Sequence, residues 1–334
     1  MKKILTTTAA AVSIALCSVV AHAADFKPAV AYDTAGKFDK SFNQAVAENG
    51  VATFMEQSDI DVREFVPSNE TQREQGLDRL ARKGFSPIVV VGFMYTTSLQ
   101  KVAAKYPNIE FVIIDSVVDL PNVKSLLFKE QEGSFLVGAL AAMKSKTAKV
   151  GFVGGMDVTL VRKFACGYEQ GAKYINKDAE VFQNMAGSTN AAWSDPARGS
   201  ELAKSQFTQG VDVIFAAAGG TGIGVYQAAA DEGKYAIGVD SNQNYLHPGV
   251  MLTSMVKRVG LATLTLFKEA EAGTFTPGIH ASGLAESGVD WAIDDYNRAL
   301  ITPEMKTTVA GIKAKIISGE IKVHDYSVDN ACTY

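Results

Sequence analysis

"SPIVVVGFMYTTSLQKVAAKYPNIEFVIIDS" (residues 86–116) holds the pattern that decides the fold of this chain. An unbroken apolar run, typical of a strand buried on both faces, leads into a glycine turn, a helical segment and a second apolar strand. Residues 211–241, "VDVIFAAAGGTGIGVYQAAADEGKYAIGVDS", repeat this order. Both segments close on Asp-Ser, at Asp115-Ser116 and at Asp240-Ser241. The chain therefore predicts two similar α/β units.

Outward from these two segments, strand and helix patterns alternate in both halves of the chain. Such alternation predicts an α/β fold with two Rossmann-like lobes, each an open parallel sheet with helices on both sides. The passage over 273–288 is rich in turn-forming residues, and a last helix is predicted over 302–318. This tail is expected to serve both units, which would make the lobe boundaries discontinuous.

Helix ends can be predicted at several points from capping residues. Ser68 is expected to cap a helix that ends at Gly84. Asp195 is expected to cap a helix that carries Pro196 in its first turn and closes at Gly210.

The first two dozen residues have the features of a secretory signal peptide. Lys2 and Lys3 precede an apolar run over 4–20 and the small residues "AHA" at 21–23. Five Ser and Thr residues within the run argue against a membrane anchor. We expect residues 1–23 to be cleaved and a soluble periplasmic protein to be released. A lipid on Cys17 is not expected, because Leu16 stands where lipoprotein processing requires a small residue.

Cleavage at this point would leave two cysteines, Cys166 and Cys332. An oxidising compartment permits a disulfide between them. Two separate buried thiols are the alternative, and the sequence does not give the distance that would decide.

Composition and motifs exclude several classes of function. A formal net charge of −4, with no block of basic residues, gives no general attraction for nucleic acid or anionic lipid. The glycine-rich stretch after residue 218 lacks a third glycine at Val225, so a dinucleotide site is not expected. The chain also lacks Cys-x-x-Cys, His-x-x-x-His and nucleophile-elbow motifs. We therefore expect no cofactor and no metal.

Polar and glycine residues follow the predicted parallel strands. Ligands bind beyond the carboxyl ends of such strands, where glycines allow close approach and aspartates accept hydrogen bonds. Helix caps and turns would place the same residue types there, but aspartates in both units favour one concentrated site. Asp115 and Asp240 could also act as a carboxylate pair, so an exported glycosidase or nucleosidase is the alternative. The strand-end residues are Asp33, Gly92, Asp115, Gly154, Gly219, Gly220 and Asp240.

Several longer stretches resemble the basic membrane protein family, the substrate-binding components of ABC importers, several of which bind purine nucleosides. The resemblance runs from about residue 29 to 284 and includes "DKSFNQ", "EGSFLVGALAA", "KVGFVGG", "GVDSNQ" and "TSMVKRV". It implies the type I periplasmic-binding architecture, with three hinge crossovers. The implied lobes are 24–128 plus 256–282 and 129–255 plus 283–334. A membrane permease is the implied partner, and a monomer is expected.

The same resemblance implies roles for individual residues. Asp33, Phe42 and Asn43 match the first binding loop, and Asp115 matches the second. Asp240 and Lys257 match the pair that holds ribose hydroxyls in nucleoside binders.

One departure from the family pattern lies at "GSTNAAWSDP", where Trp193 takes the place of the usual Phe. A purine would then lie between Trp193 and Phe42, with Phe38 as a further ring of the first lobe. A core position on an amphipathic helix is the alternative for Phe42. A purine nucleoside is thus the expected ligand, and a sugar or a free purine base is the alternative within the binding class.

Overall fold

The structure is a computed structural model that describes residues 26–332. The predicted signal peptide over 1–23, with Cys17, lies outside the described residues. Within them the strands are β1 (Ala29–Ala31), β2 (Arg63–Phe65), β3 (Ile88–Val91), β4 (Phe111–Ile114), β5 (Val123–Phe128), β6 (Lys149–Met156), β7 (Glu180–Gly187), β8 (Val213–Ala217), β9 (Tyr235–Asp240), β10 (Met251–Lys257), β11 (Gly278–Ser282) and β12 (Val289–Trp291).

Helices alternate with these strands along the chain. They are α1 (Phe42–Ala45), α2 (Thr53–Ser58), α3 (Glu70–Arg82), α4 (Thr96–Lys105), α5 (Glu130–Lys144), α6 (Thr159–Ile175), α7 (Pro196–Thr208), α8 (Gly222–Asp231), α9 (Val259–Glu271) and α10 (Pro303–Ile317), with a π-helical stretch (Val46–Ala52) between α1 and α2. Within residues 26–332, none of them is long and apolar enough to cross a membrane.

The strands form two six-stranded sheets with matching order. The first sheet runs β11-β5-β4-β3-β1-β2 and is parallel throughout. The second runs β12-β10-β9-β8-β6-β7, and only β12 is antiparallel to its neighbour. Because the order β5-β4-β3-β1-β2 corresponds strand for strand to β10-β9-β8-β6-β7, the predicted α/β fold with two similar units is confirmed.

The chain passes between the two sheets three times. It leaves the first sheet after β5, returns after β10 to form α9 and β11, and leaves again before β12. Three passages agree with the expected hinge crossovers. The lobe boundaries themselves stay a prediction, and β10 runs to Lys257, past the proposed break after residue 255.

Two local predictions were wrong, and one was confirmed. Asn69, not Ser68, caps α3, because its backbone is extended and its side chain accepts a hydrogen bond from the Gln72 N–H. The passage over 273–288 contains β11, which adds to the edge of the first sheet through β5. Asp195 caps α7 and Pro196 starts it, as predicted.

Helices α5 and α6 pack at unusually short range, which matters for the site described below. A Cβ on Gly138 would lie 2.0 Å from the Tyr168 carbonyl oxygen, and one on Gly171 would lie 2.0 Å from that of Phe135. Only glycine allows the two backbones to approach this closely. A Cβ on Gly167 would likewise lie 2.4 Å from the Gln131 carbonyl oxygen, so these glycines bring the first turn of α5 next to α6.

The C-terminal segment is tied to α6. Cys166 and Cys332 form a disulfide with a Cα–Cα distance of 5.4 Å. Beside it, the Gln170 amide donates to the His324 carbonyl oxygen (3.0 Å) and accepts from the His324 N–H (2.8 Å). Of the two alternatives for these cysteines, the structure contains the bonded pair.

Candidate functional site

A cavity lies between the two sheets, at the carboxyl ends of their strands. Eight of the ten residues predicted for the site lie on its wall: Asp33, Phe42, Asn43, Gly92, Asp115, Trp193, Asp240 and Lys257. The wall also contains Gly219, one of the strand-end glycines. Its remaining residues were not singled out from the sequence: Ala35, Asp39, Phe93, Leu160, Val161, Phe164, Ala217 and Val239.

Two predicted site residues are absent from this wall. Phe38 is 73% exposed and lies under the Lys37 ammonium, 5.7 Å from the ring centroid, and it is not among the lining residues. Gly219, with a positive φ of 54°, takes the place predicted for Gly220. The turn that follows β8 decides which of its adjacent glycines faces inward. Ligand-binding roles for Phe38 and Gly220 stay predictions.

The loop before α1 is organised by Asp39, which the sequence analysis missed. Its carboxylate accepts hydrogen bonds from the backbone N–H groups of Ser41 (2.9 Å), Asn43 (2.9 Å) and Gln44 (3.1 Å). It also accepts from the Asn43 Nδ2 (2.9 Å), while the Asn43 Oδ1 accepts from the Asp33 N–H (3.1 Å). Burial raises the pKa of Asp39, and these hydrogen bonds oppose that rise. Asp39 and Asn43 thus fix the loop that carries Phe42.

Asp33, at the end of β1, has one engaged and one open carboxylate oxygen. Oδ1 accepts from the Thr34 hydroxyl (2.9 Å) and lies 3.5 Å from the Arg73 guanidinium. Gly92, with a φ of 101°, allows Oδ2 to come close, because a Cβ there would lie 3.2 Å from this oxygen. Among residues 26–332, no hydrogen bond to Oδ2 is formed, so it can accept one from a ligand.

Lys257 is the cation of the cavity and is held between two carboxylates. Its Nζ donates to Asp115 Oδ2 (2.6 Å) and lies 3.0 Å from Glu130 Oε1. Glu130 is paired in turn with Lys163 at 2.7 Å. Burial alone would lower the pKa of Lys257, but the carboxylates of Asp115, Glu130 and Asp240 raise it instead. Lys257 is therefore charged, and its direct partners are Asp115 and Glu130 rather than Asp240.

The pKa values of the two carboxylates beside Lys257 are shifted in opposite directions. Burial raises the pKa of Asp115, and nearby Glu130 raises it further against the pull of Lys257. Burial would also raise the pKa of Glu130, but Lys257 and Lys163 together bring it below its usual value. Glu130 is thus kept ionised by its two lysines, and Asp115 shares Lys257 with it. Asp115 Oδ1 and both carboxylate oxygens of Glu130 are buried without a hydrogen bond among the described residues, so Glu130 is held by ion pairing.

Asp240 is the last residue of β9 and Asp115 directly follows β4, and both have a left-handed backbone, with φ of 62° and 68°. Non-glycine residues adopt this conformation rarely, and it is concentrated at functional sites. Asp240 Oδ2 accepts from the Ser41 hydroxyl (2.7 Å). Burial raises the pKa of Asp240 to about 7, against the attraction of Lys257 and the Ser41 hydrogen bond.

Aromatic rings form the apolar part of the wall. Phe42 and Phe164 lie on it, and their ring centroids are 5.2 Å and 5.7 Å from the Lys257 Nζ. Trp193 ends a short 3₁₀ helix (Asn190–Trp193) of the second unit, and its ring packs against Gly155. A Cβ on Gly155 would come within 2.3 Å of that ring, so glycine is needed beneath it.

Hydrogen bonds join the two units across the cavity. Besides the Ser41–Asp240 bond, the Ser241 hydroxyl donates to the Ser41 carbonyl oxygen (2.8 Å) and the Gln243 amide donates to that of Lys40 (2.8 Å). The Asn190 amide donates to the Thr34 hydroxyl. The two units are therefore in contact on the cavity rim. Within residues 26–332, no cluster of His, Cys, Asp and Glu could hold a metal ion.

Known proteins resemble this chain over nearly its whole length. A family model described as "ABC transporter substrate-binding protein PnrA-like" matches residues 27–327. Basic membrane protein A of Borreliella afzelii is 34% identical over 89% of this chain and 91% of its own. The ABC transporter nucleoside-binding protein BmpA of Lactococcus lactis subsp. cremoris is 32% identical over 90% of this chain and 89% of its own. Among solved structures, an ABC transporter solute-binding protein from Aeropyrum pernix K1 matches with a TM-score of 0.83 and 29% identity, covering 91% of this chain and 95% of that one.

Proposed function

Because this chain belongs to the Bmp family of PnrA-like ABC transporter substrate-binding proteins, we propose that it captures a purine nucleoside between its two units and delivers it to a membrane permease. Proteins of this family bind a small molecule for an ABC transporter and are not enzymes. The alternative of an exported glycosidase or nucleosidase was therefore wrong.

The observation that carries the nucleoside proposal is the joint presence of Phe42, Trp193, Asp240 and Lys257 on one cavity wall. A purine base offers two flat faces, and stacking against aromatic rings stabilises it whichever polar groups it carries. A ribose offers hydroxyl groups, which donate to a carboxylate such as Asp240 and accept from an ammonium such as Lys257. A relative that carries the name nucleoside-binding protein, at 32% identity, supports the same ligand class.

The polar edge of the base would be read from the first unit. Asp33 Oδ2 and Asp115 Oδ1 are acceptors that lack a hydrogen bond among the described residues, and both residues line the cavity. Ring N–H and amino groups of a purine are suitable donors for them. Asn43 would contribute less than the sequence suggested, because both ends of its amide already bond within the loop.

The charge of the wall favours a nucleoside over a nucleotide. Within the described chain, Lys257 is the only cation among the lining residues, and it already has two carboxylate partners. Asp33, Asp39, Asp115 and Asp240 surround the same space. A phosphate group would meet unfavourable negative potential there, whereas an uncharged nucleoside would not.

Mass spectrometry of small molecules released by denaturing the purified protein tests the ligand class. We expect an intact purine nucleoside, in amounts close to one per chain. A matched preparation of Asp240→Ala should carry much less of it. Recovery of a sugar or of a free purine base from the parent protein would contradict the proposal and favour the corresponding alternative.

We also propose export, with cleavage after about residue 23 and a periplasmic location. The basic start, the apolar run and the small residues before position 24 support this. The intact mass of the processed protein tests it: loss of residues 1–23 is expected, and an acylated Cys17 at the N-terminus would contradict it.

A further inference from the structure

Glu130 lies behind the ligand cavity and is absent from its wall, yet it is in contact with the cation of the cavity. We infer that Glu130, held by Lys163, is a positioning residue that fixes the Lys257 ammonium for the ligand hydroxyls. This inference rests on the proposed nucleoside function, since it concerns the same site.

The geometry joins these three side chains in one buried row. Lys257 and Glu130 have side chains that are each 1% exposed, and Lys163 is 13% exposed. Glu130 lies 3.0 Å from the Lys257 Nζ through one oxygen and 2.7 Å from the Lys163 Nζ through the other. Lys163 donates in addition to the Phe128 carbonyl oxygen (3.0 Å), at the end of β5.

The backbone also holds Glu130 in place. Glu130 is the first residue of α5, where the partial positive charge of a helix N-terminus favours a carboxylate. The close approach of α5 and α6 described above brings the Lys163 side chain, from α6, to this first turn. Glu130 is thus fixed from three directions: its helix, Lys163 and Lys257.

This arrangement gives Asp115 the freedom to bind a ligand. Asp115 Oδ2 is engaged by Lys257, and Asp115 is also the residue expected to read the base. If Asp115 were the sole partner of Lys257, accepting a hydrogen bond from a ligand would leave a buried ammonium poorly compensated, which is costly. With Glu130 present, Lys257 stays paired and in place while Asp115 accepts a hydrogen bond from the ligand.

A second carboxylate touches Lys163, and it provides a matched control. Asp325 of the C-terminal segment lies 3.6 Å from the Lys163 Nζ, and its side chain is 26% exposed. Ion pairs that are long and partly exposed to solvent stabilise the fold only slightly. Asp325→Asn should therefore leave ligand binding nearly unchanged, although it removes a charge from the same lysine.

The test compares calorimetric affinities for a purine nucleoside and for its free base, in the parent, Glu130→Gln and Asp325→Asn. Gln keeps the size of Glu130 and removes its charge. We expect Glu130→Gln to weaken nucleoside binding by on the order of tenfold or more. Free-base binding should weaken less, because the base loses only part of its hydrogen bonding to Asp115, whereas the nucleoside also loses the positioned Lys257 at its ribose. Equal losses for both ligands, or no loss for the nucleoside, would overturn the inference.

A double variant keeps the test decisive if Glu130→Gln fails to fold with two buried lysines left unbalanced. Glu130→Gln with Lys163→Met removes one charge of each sign, and it should show the same selective loss for the nucleoside. If both variants fold, Lys163→Met should add no further loss in the Glu130→Gln background, since Lys163 acts through Glu130. Full parent-like nucleoside affinity in the double variant would refute the inference. Parent protein that binds no nucleoside would instead refute the proposed function, and the inference with it.

Discussion

The unusual titration of Asp240 leads to a prediction about both stability and binding. Burial raises its pKa from 3.8 to about 7 in the folded protein, with Asp115 and Asp39 adding to the rise and Lys257 opposing it. The folded state therefore holds a proton at Asp240 that the unfolded state has already lost between these two pH values. The Asp240 contribution to stability is fully present below about pH 4 and is lost as pH rises towards 7.

The size of this effect follows from the two pKa values. Each pH unit between them is worth ~1.4 kcal/mol of unfolding free energy. Nearly two units of that interval lie between pH 5 and 7, so about 2–3 kcal/mol should be lost between pH 5 and pH 8. Asp240→Asn removes the titration and keeps an oxygen that can accept from the Ser41 hydroxyl.

Urea unfolding of ligand-free protein at pH 5 and pH 8, followed by circular dichroism, measures the effect. Other groups titrate in both proteins, so the quantity of interest is the stability of Asp240→Asn minus that of the parent. This difference should rise by about 2–3 kcal/mol from pH 5 to pH 8. The exposed Asp119, replaced by Asn, controls for loss of one negative charge and should show no such rise. A difference that is the same at both pH values would refute the reasoning.

The same carboxylate should make binding depend on pH in the opposite direction. Ribose hydroxyls donate to an ionised carboxylate, so nucleoside affinity in the parent should increase from pH 5.5 to pH 8. Asp240 thus lowers stability at neutral pH and supplies an acceptor for the ligand. Stability lost at a binding site in exchange for function is a common feature of folded proteins.

Three further predictions concern other parts of the molecule. Trp193→Ala should weaken purine nucleoside binding by about 1–3 kcal/mol and abolish most of the ligand-induced change in tryptophan fluorescence, whereas Trp193→Phe should retain most of the affinity; unchanged binding by Trp193→Ala would contradict a stacking role. Asp240→Ala should weaken binding of a nucleoside far more than binding of its free base in calorimetry, and equal losses would place Asp240 away from the ribose. Thiol titration of denatured, unreduced mature protein should find no free thiol, and two free thiols would show that Cys166 and Cys332 are not joined.

The main architecture could be predicted from the sequence because buried parallel strands have a strong local signature. Continuous apolar runs such as those of β3 and β8, each followed by glycine and a helical pattern, recur in both halves. β7 was missed because it is an edge strand whose residues are mostly half-buried or exposed, so its composition is mixed. β11 was missed because it is short, lies within a turn-rich passage and is stabilised by pairing with distant β5.

The site could be predicted in part, because strand-end residues meet at one edge of a sheet. Asp33, Asp115 and Asp240 were found in this way, and all three line the cavity. Asp39 could also have been found, since an aspartate just before a helix is a typical capping residue. The pairing of Lys257 with Glu130 could not be predicted, because Glu130 lies on α5 and the approach of that helix depends on packing rather than on a local sequence pattern.

The choice between Phe38 and Phe42 shows the limit of pattern reasoning in a single loop. Both rings lie within five residues, and helical spacing alone did not decide which one faces the cavity. The Asp39 hydrogen bonds to Ser41, Asn43 and Gln44 begin the helix at Phe42, which turns that ring inward. Phe38 precedes this turn and stays at the surface.

Calorimetric titration of ligand-stripped protein with adenosine and guanosine tests the central claim most directly. The protein should first be unfolded, dialysed and refolded, so that no copurified molecule occupies the cavity. We predict saturable binding of at least one of these nucleosides, with one molecule bound per chain and the nucleoside recovered unchanged. Absence of saturable binding for both nucleosides, together with saturable binding of a sugar or a free base, would contradict the claim.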